Sequence, residues 1–188
     1  MIENMEPFDL LLQLQQTARL RVGLPTPKVT KGYWTGIGVR MGKEHLLVPI
    51  EEILEILPLR DLRSIPFSKT WLQGIINYRG NILPITDLFC FFEGEKTARD
   101  KNNRVLVIGS GGELFGLLVS KVFGMFRLPI KEKRALDQDI DKTYAPYVQG
   151  TYRLKNKIWP VLSVERVLKE PKLYQVGKHT NYLMKVTR

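Results

Sequence analysis

The residues whose types could do chemistry are few and poorly placed for it. His45, His179 and Cys90 are the only histidines and cysteine in the chain, and none has metal-ligand spacing to another. His45 sits in a strand-like stretch, where packing or solvent contact accounts for it. Gly109-Ser110-Gly111-Gly112 could suggest a phosphate cradle, but no Lys-Ser or Lys-Thr follows. Between two apolar runs, those glycines read as a turn. Ser110 and Ser120 lack the setting of a nucleophile elbow. Asp87 resembles a catalytic carboxylate until its place before Leu88-Phe89-Cys90-Phe91-Phe92 is noticed, which is that of a helix N-cap. Glu51-Glu52 and the acids from Asp137 to Asp141 read as solvated faces. The expectation is no catalytic residue, no metal and no cofactor, and so no enzyme. An unrecognised enzyme would reveal itself by a pocket of convergent titratable groups.

The frame around these residues is more informative, because a phrase in it occurs twice. Leu72-Gln73-Gly74 leads through Tyr78-Arg79-Gly80-Asn81 to Leu83-Pro84-Ile85 and Asp87-Leu88. Val148-Gln149-Gly150 leads through Leu154-Lys155-Asn156-Lys157 to Trp159-Pro160-Val161 and Ser163-Val164 at the same spacing. Asp87 and Ser163, both good N-caps, fall in register. The copies extend upstream: Gly42 to Ile56 and Gly111 to Met125 each read as a turn, a strand and then spaced apolar residues. An insertion of about seven residues reconciles the upstream and downstream offsets, a common loop variation. A duplicated unit implies a duplicated fold.

The elements follow. Leu10, Leu11, Leu14 and Ala18 put one apolar face on a helix over 8–22, ended by Gly23 and Pro25-Thr26-Pro27. From Tyr33 the signal turns to strands, with a return over Leu46 to Ile50 after the turn at Gly42. Glu51 to Leu57 fits either a helix or a strand. Trp71–Asn77 and Asn81–Ile85 form a hairpin, and Arg104–Ile108 and Leu114–Val119 another around Gly109 to Gly112. Lys96 to Asn103 is a polar loop, and Lys131 to Lys142 a charged, irregular one. Tyr147–Val161 repeats the first hairpin, and a short helix follows each copy. Pro171 is expected to stop the second helix. Many short strands with glycine turns indicate an all-β barrel or sandwich. Two copies of about 70 residues suggest two small barrels, and each alone buries so little that they should share a core. The expected organisation is a helix and linker over 1–31, a body over 32–172 and a basic tail over 173–188.

Composition bounds the rest. At 188 residues with 44% hydrophobic, the chain can build a sizeable core. No apolar run approaches a membrane span, and the acidic start is unlike a secretory signal. With a single cysteine, this points to a cytoplasmic protein. The net charge of +10 suggests an acidic partner: nucleic acid, an anionic membrane face or an acidic protein. The basic residues are scattered, however, with local clusters at Arg127–Arg134, Arg153–Lys157 and Lys169–Arg188, and aromatics do not interleave with them. Solvated faces account for them, and nucleic acid is not expected as a partner. A basic β-barrel binding RNA or single-stranded DNA is the alternative, recognisable by surface aromatics beside a basic groove.

Leu72 to Leu88, with its Gly, Asn-x-Arg-Gly, Pro-apolar and Asp-Leu positions, resembles the signature of CheW-like domains, the chemotaxis coupling proteins. The resemblance covers about Tyr33 to Pro171. Pro7-Phe8-Asp9-Leu10-Leu11, Gly23-Leu24-Pro25, Trp34-Thr35-Gly36-Ile37-Gly38 and Val122-Phe123-Gly124-Met125 resemble the members that serve type IV pilus twitching systems. Ser120 and Lys121 depart from relatives that carry Asp, then an acidic or small residue. The resemblance implies two small five-stranded barrels packed together, with no catalytic residue or cofactor. It further implies a scaffold that joins a methyl-accepting-type chemoreceptor to a CheA-type histidine kinase and meets the membrane only through the receptor. Carried over by motif position, Ile53, Glu55, Gly74, Arg79, Val122 and Met125 are the implied partner-binding residues.

Overall fold

The computed structural model describes residues 32–110, 112–136 and 140–175. The helix expected over 8–22 and most of the basic tail lie outside them. Among the described residues there are ten strands: β1 (Tyr33–Met41), β2 (Glu44–Pro49), β3 (Glu55–Pro58), β4 (Leu72–Tyr78), β5 (Asn81–Asp87), β6 (Arg104–Ser110), β7 (Glu113–Val119), β8 (Lys121–Pro129), β9 (Val148–Leu154) and β10 (Lys157–Leu162). Helices α1 (Leu88–Glu93), α2 (Val164–Leu168) and α3 (Pro171–Tyr174) are short. The second short helix ends at Leu168, ahead of Pro171 as expected, and Pro171, whose fixed φ suits a first turn, opens the further helix α3. The ambiguous stretch after Ile50 is both things in turn, a single 3-10 turn at Ile50–Glu52 and then β3.

The strands form two curled five-stranded sheets, in the orders β8-β1-β2-β10-β9 and β3-β6-β7-β5-β4. The sequence copies are β1–β5 with α1 and β6–β10 with α2, so neither sheet is one copy. Each takes a hairpin from one copy and three strands from the other. The exchange is made by an antiparallel pair on one side, β1 with β8 or β6 with β3. On the other side it is made by a parallel contact, β2 with β10 or β5 with β7. The expectation of two barrels with a shared core holds, but each barrel is built by both copies.

Each sheet is drawn into a barrel by one bridge. Arg63, beyond β3, exchanges backbone hydrogen bonds with Ile75 of β4 at 2.9 and 2.8 Å. Arg134, beyond β8, does the same with Thr151 of β9 at 2.9 and 2.9 Å. The repeated Gln-Gly sits at these closures. Gly74 and Gly150 precede the bridging residues with φ of +142° and +145°. A Cβ on Gly74 would lie 2.2 Å from the Arg63 carbonyl oxygen, and one on Gly150 would lie 2.9 Å from that of Arg134. The motif is glycine because two backbones meet there.

Three apolar clusters result. Leu47, Leu128, Tyr152, Trp159 and Val161 fill the first barrel. Ile76, Tyr78, Leu83, Ile85, Val105, Val107 and Leu118 fill the second. Between them lies a larger shared core that includes Leu46, Val48, Leu106, Ile108, Leu117 and Val119. Strands β2, β6 and β7 thus bury both faces, which explains their unbroken apolar runs. Strand β8, which the sequence pattern did not separate from the preceding hairpin, is one of the two longest strands. Its outward Phe123 and Met125 hide the alternation.

Candidate partner-binding site

The hairpin β4–β5 turns on two residues, Arg79 and Gly80, at φ of +52° and +83°. This is the left-handed pair that a two-residue hairpin needs to match strand twist. The Asn77 side-chain oxygen accepts from the Gly80 N–H at 3.0 Å and ties the turn to its strand. Around the tip Asn77, Arg79, Asn81 and Ile82 are exposed, Ile82 by 72%. An isoleucine that open, opposite Asn77 in register, gives the tip an apolar centre with polar flanks.

Glu55 of β3 comes to the same place from the other edge of the sheet. One of its carboxylate oxygens, Oε2, accepts from the Tyr78 hydroxyl at 2.7 Å and from Arg79 Nη2 at 2.7 Å. The Arg79 guanidinium also lies over the Tyr78 ring, 5.1 Å from its centroid. Burial, and then the bond to Glu55, push the Tyr78 phenol above its usual pKa, the direction expected of a hydroxyl that donates to a carboxylate. The ion pair is half-exposed, and such pairs contribute about 0–1 kcal/mol. Its evident effect is to orient a guanidinium on an exposed turn.

The six residues implied by resemblance are not one patch. Glu55 and Arg79 touch. Ile53 is buried in the shared core and leads the chain into β3. Gly74 is buried at the barrel closure near the other end of β4. Val122 and Met125 belong to β8 in the other sheet. Val122 packs on the shared core, while Met125 is 65% exposed and pairs with Ile37 of β1. Beside it Phe123 stacks on His45 at 5.0 Å and meets the Trp159 ring at 5.5 Å. Two exposed apolar positions therefore stand on different barrels: Ile82 on the second and Met125 on the first.

Sequence reasoning missed Tyr78, Ile82 and Phe67. Alternation along β5, with Leu83 and Ile85 inward, would have pointed Ile82 outward. Phe67 is 82% exposed at φ of +59°, a loop conformation without a sequence signal. Thr97 was also missed: its N–H and hydroxyl each bond the Asp87 carboxylate at 2.8 Å, while Cys90 N–H bonds it at 3.2 Å. Asp87 is fully buried and works as a cap and loop anchor.

Titratable groups do converge on one cleft, lined in part by Glu44, Asp141, Lys142 and Tyr144. There burial, then the bond to Glu93, raise the Tyr144 pKa, away from the value a neutral-pH acid–base catalyst needs. No group of three metal-ligating side chains occurs among the described residues, nor does a helix long and apolar enough to cross a membrane.

Comparison with known proteins agrees with this architecture. Residues 35–172 match the model of the CheW-like domain. The chain is 34% identical to protein PilI of Pseudomonas aeruginosa over 158 residues, covering 84% of this chain and 88% of that one. It is 26% identical to the chemotaxis protein CheW of Helicobacter pylori, covering 71% and 81%. Among solved structures it resembles the scaffolding protein TtCheW from Thermoanaerobacter tengcongensis. The TM-score is 0.63 at 20% identity, covering 72% of this chain and 87% of that one. The paired five-stranded sheets and the match over most of the body place this chain in the CheW-like domain family.

Proposed function

We propose that the chain is a non-catalytic cytoplasmic adaptor that couples a chemoreceptor to a CheA-type histidine kinase, in a chemotaxis-like system controlling type IV pilus twitching motility. The observation that carries this reading is the hairpin tip. An exposed isoleucine lies beside an arginine that Glu55 and Tyr78 orient, on a barrel whose backbone needs neither side chain. The similarity to PilI supports the twitching system. Arg79 and Ile82 serve one partner, and Met125 with Phe123 on β8 the other. Ile53, Gly74 and Val122 support these surfaces from beneath. Residues 1–31 and the tail from 173 are appendages to the 32–172 body.

The test is binding of the kinase regulatory domain and of the receptor tip to the Arg79→Ala and Met125→Ala variants. Each variant should weaken one partner by about 1–3 kcal/mol and leave the other unchanged, the range for an interface anchor. Normal binding of both partners by both variants would overturn the reading.

A further inference from the structure

Among the described residues, exposed apolar side chains gather where the first 31 residues join the body. Tyr33 on β1, Phe123 and Met125 on β8, and Ile130 in the 3-10 turn after β8 are all exposed. Register sets Met125 opposite Ile37, Arg127 opposite Thr35 and Pro129 opposite Tyr33, so these pairs share one face of the β1–β8 ribbon. That face starts in the shared core at Val39 and Ile37 and leaves it at Met125, which is 65% exposed. It ends at Tyr33, with the Arg127 guanidinium 4.8 Å from the ring centroid. An apolar face that runs out of a core into solvent marks a contact site. The Gly32 carbonyl accepts from the Ile130 N–H at 3.0 Å, which fixes the entry of residues 1–31 at the Tyr33 end of this strip.

We infer that residues 8–22 of this same chain dock on the outer strip of β1 and β8 and cover Met125. Read as a helix, they put Leu10, Leu11, Leu14 and Ala18 on one face, and so short a helix is marginal until that face is packed. Reach permits it: the linker over 23–31 extends to about 30 Å, while the strip from Pro129 to Met125 is about 13 Å long. Charge favours this occupant over the other end of the chain. Exposed Lys121 and Arg127 stand on either side of Met125 along β8. Glu3, Glu6 and Asp9 lead into the segment, whereas the tail beyond 175 holds Lys178, Lys185 and Arg188 and no acid. Opposite signs favour the first pairing and like signs oppose the second. On the reading of Met125 as a partner contact, from which this consequence follows, the chain shields its own docking surface.

The experiment follows sulfoxide formation at Met125 in the full chain under limiting hydrogen peroxide, by mass spectrometry. Leu11→Asp/Leu14→Asp should speed oxidation about fivefold or more, the factor set by a docked fraction of about four-fifths. Gln13→Asp/Gln16→Asp adds the same charge off the apolar face and should change the rate by less than about twofold. Met41, buried in the shared core, should stay slow in every variant, which separates undocking from unfolding. Leu11→Ala/Leu14→Ala, a milder pair, should act in the same direction. Equal Met125 rates in the parent and the Leu11/Leu14 variants would overturn the docking, as would equal acceleration by the Gln13/Gln16 pair. Protection that fades on dilution would assign the strip to a second copy and overturn it too. Faster oxidation without tighter binding of the kinase regulatory domain or the receptor tip would uphold the docking and count against Met125 as a partner contact.

Discussion

At the second barrel's tight turn, Arg79 bonds back to Glu55 and its charge is matched; Tyr78 inserts its ring into the barrel and gives its hydroxyl to the same carboxylate. At the corresponding turn of the first barrel stand Lys155 and Asn156, at φ of +45° and +62°, on the rim of a cleft that Lys131 and Arg134 also line. The backbone solution is the same in both: a left-handed pair at the tip, a glycine at the closure, an N-cap after the second strand. The side chains laid over it differ. The repeated frame is what folding demands, and the unshared decoration is where partners can be told apart.

Four comparisons test that division. The largest effect belongs to the closures. Gly74→Ala should cost about 4 kcal/mol, since its Cβ would lie 2.2 Å from the Arg63 carbonyl oxygen, whereas Gly150→Ala should cost about 2–3 kcal/mol, because its nearest obstacle is the movable Lys133 side chain and the Arg134 carbonyl oxygen is farther off, at 2.9 Å. Denaturant melts check this, and equal costs would mean that the closures are not distinguished by backbone contact.

The caps come next. Asp87 receives three hydrogen bonds in a fully buried site, while Ser163 receives one, from Arg166 N–H at 3.4 Å. Asp87→Ala leaves Thr97 and Cys90 donors without their partner and should cost about 3 kcal/mol. Ser163→Ala should cost about 1 kcal/mol, the ordinary value of a serine N-cap that makes one side-chain hydrogen bond. A thermal melt in which the two variants coincide would break the contrast.

For the turns themselves, Arg79→Ala should change unfolding free energy by less than about 1 kcal/mol, and Lys155→Ala by about as little. A loss of several kcal/mol at Arg79 alone would make it a strut of the second barrel.

The smallest effect concerns Glu52, whose carboxylate accepts from the Val164 N–H at 3.0 Å and so joins the first copy to α2 of the second. Burial, opposed by that bond and assisted by Glu51, raises its pKa above 4.5. A carboxylate raised on folding is penalised in its charged form, so the penalty is present above the folded pKa and fades as pH falls through it. Glu52→Gln should therefore gain relative to the parent near neutral pH, by less than about 1 kcal/mol given partial exposure. That gain should shrink toward pH 4.5. Melts across this window read the slope, and a gain that grows on acidification contradicts it.

The sequence by itself determined what is local. Turn positions, the caps at Asp87 and Ser163, the left-handed Gly94 after α1 and the repeated hairpin depend on residues within a few positions of one another. Period and turn chemistry report such features directly. The family signature lies in the same stretches, which is why the fold class was legible. Only the tertiary structure decided which hairpin joins which barrel. Strands β2, β6 and β7 are apolar on both faces, and a two-faced strand does not announce its neighbours. The same holds for the sites. Ile53 and Gly74 carry motif positions yet lie inside, and Glu55 meets Arg79 only because the barrel brings its edge strands together. Lys131 and Lys155 looked like members of separate solvated runs until closure set them on one cleft. Local backbone preference is written in neighbouring residues, whereas pairing between distant strands is set by which apolar faces can be buried together.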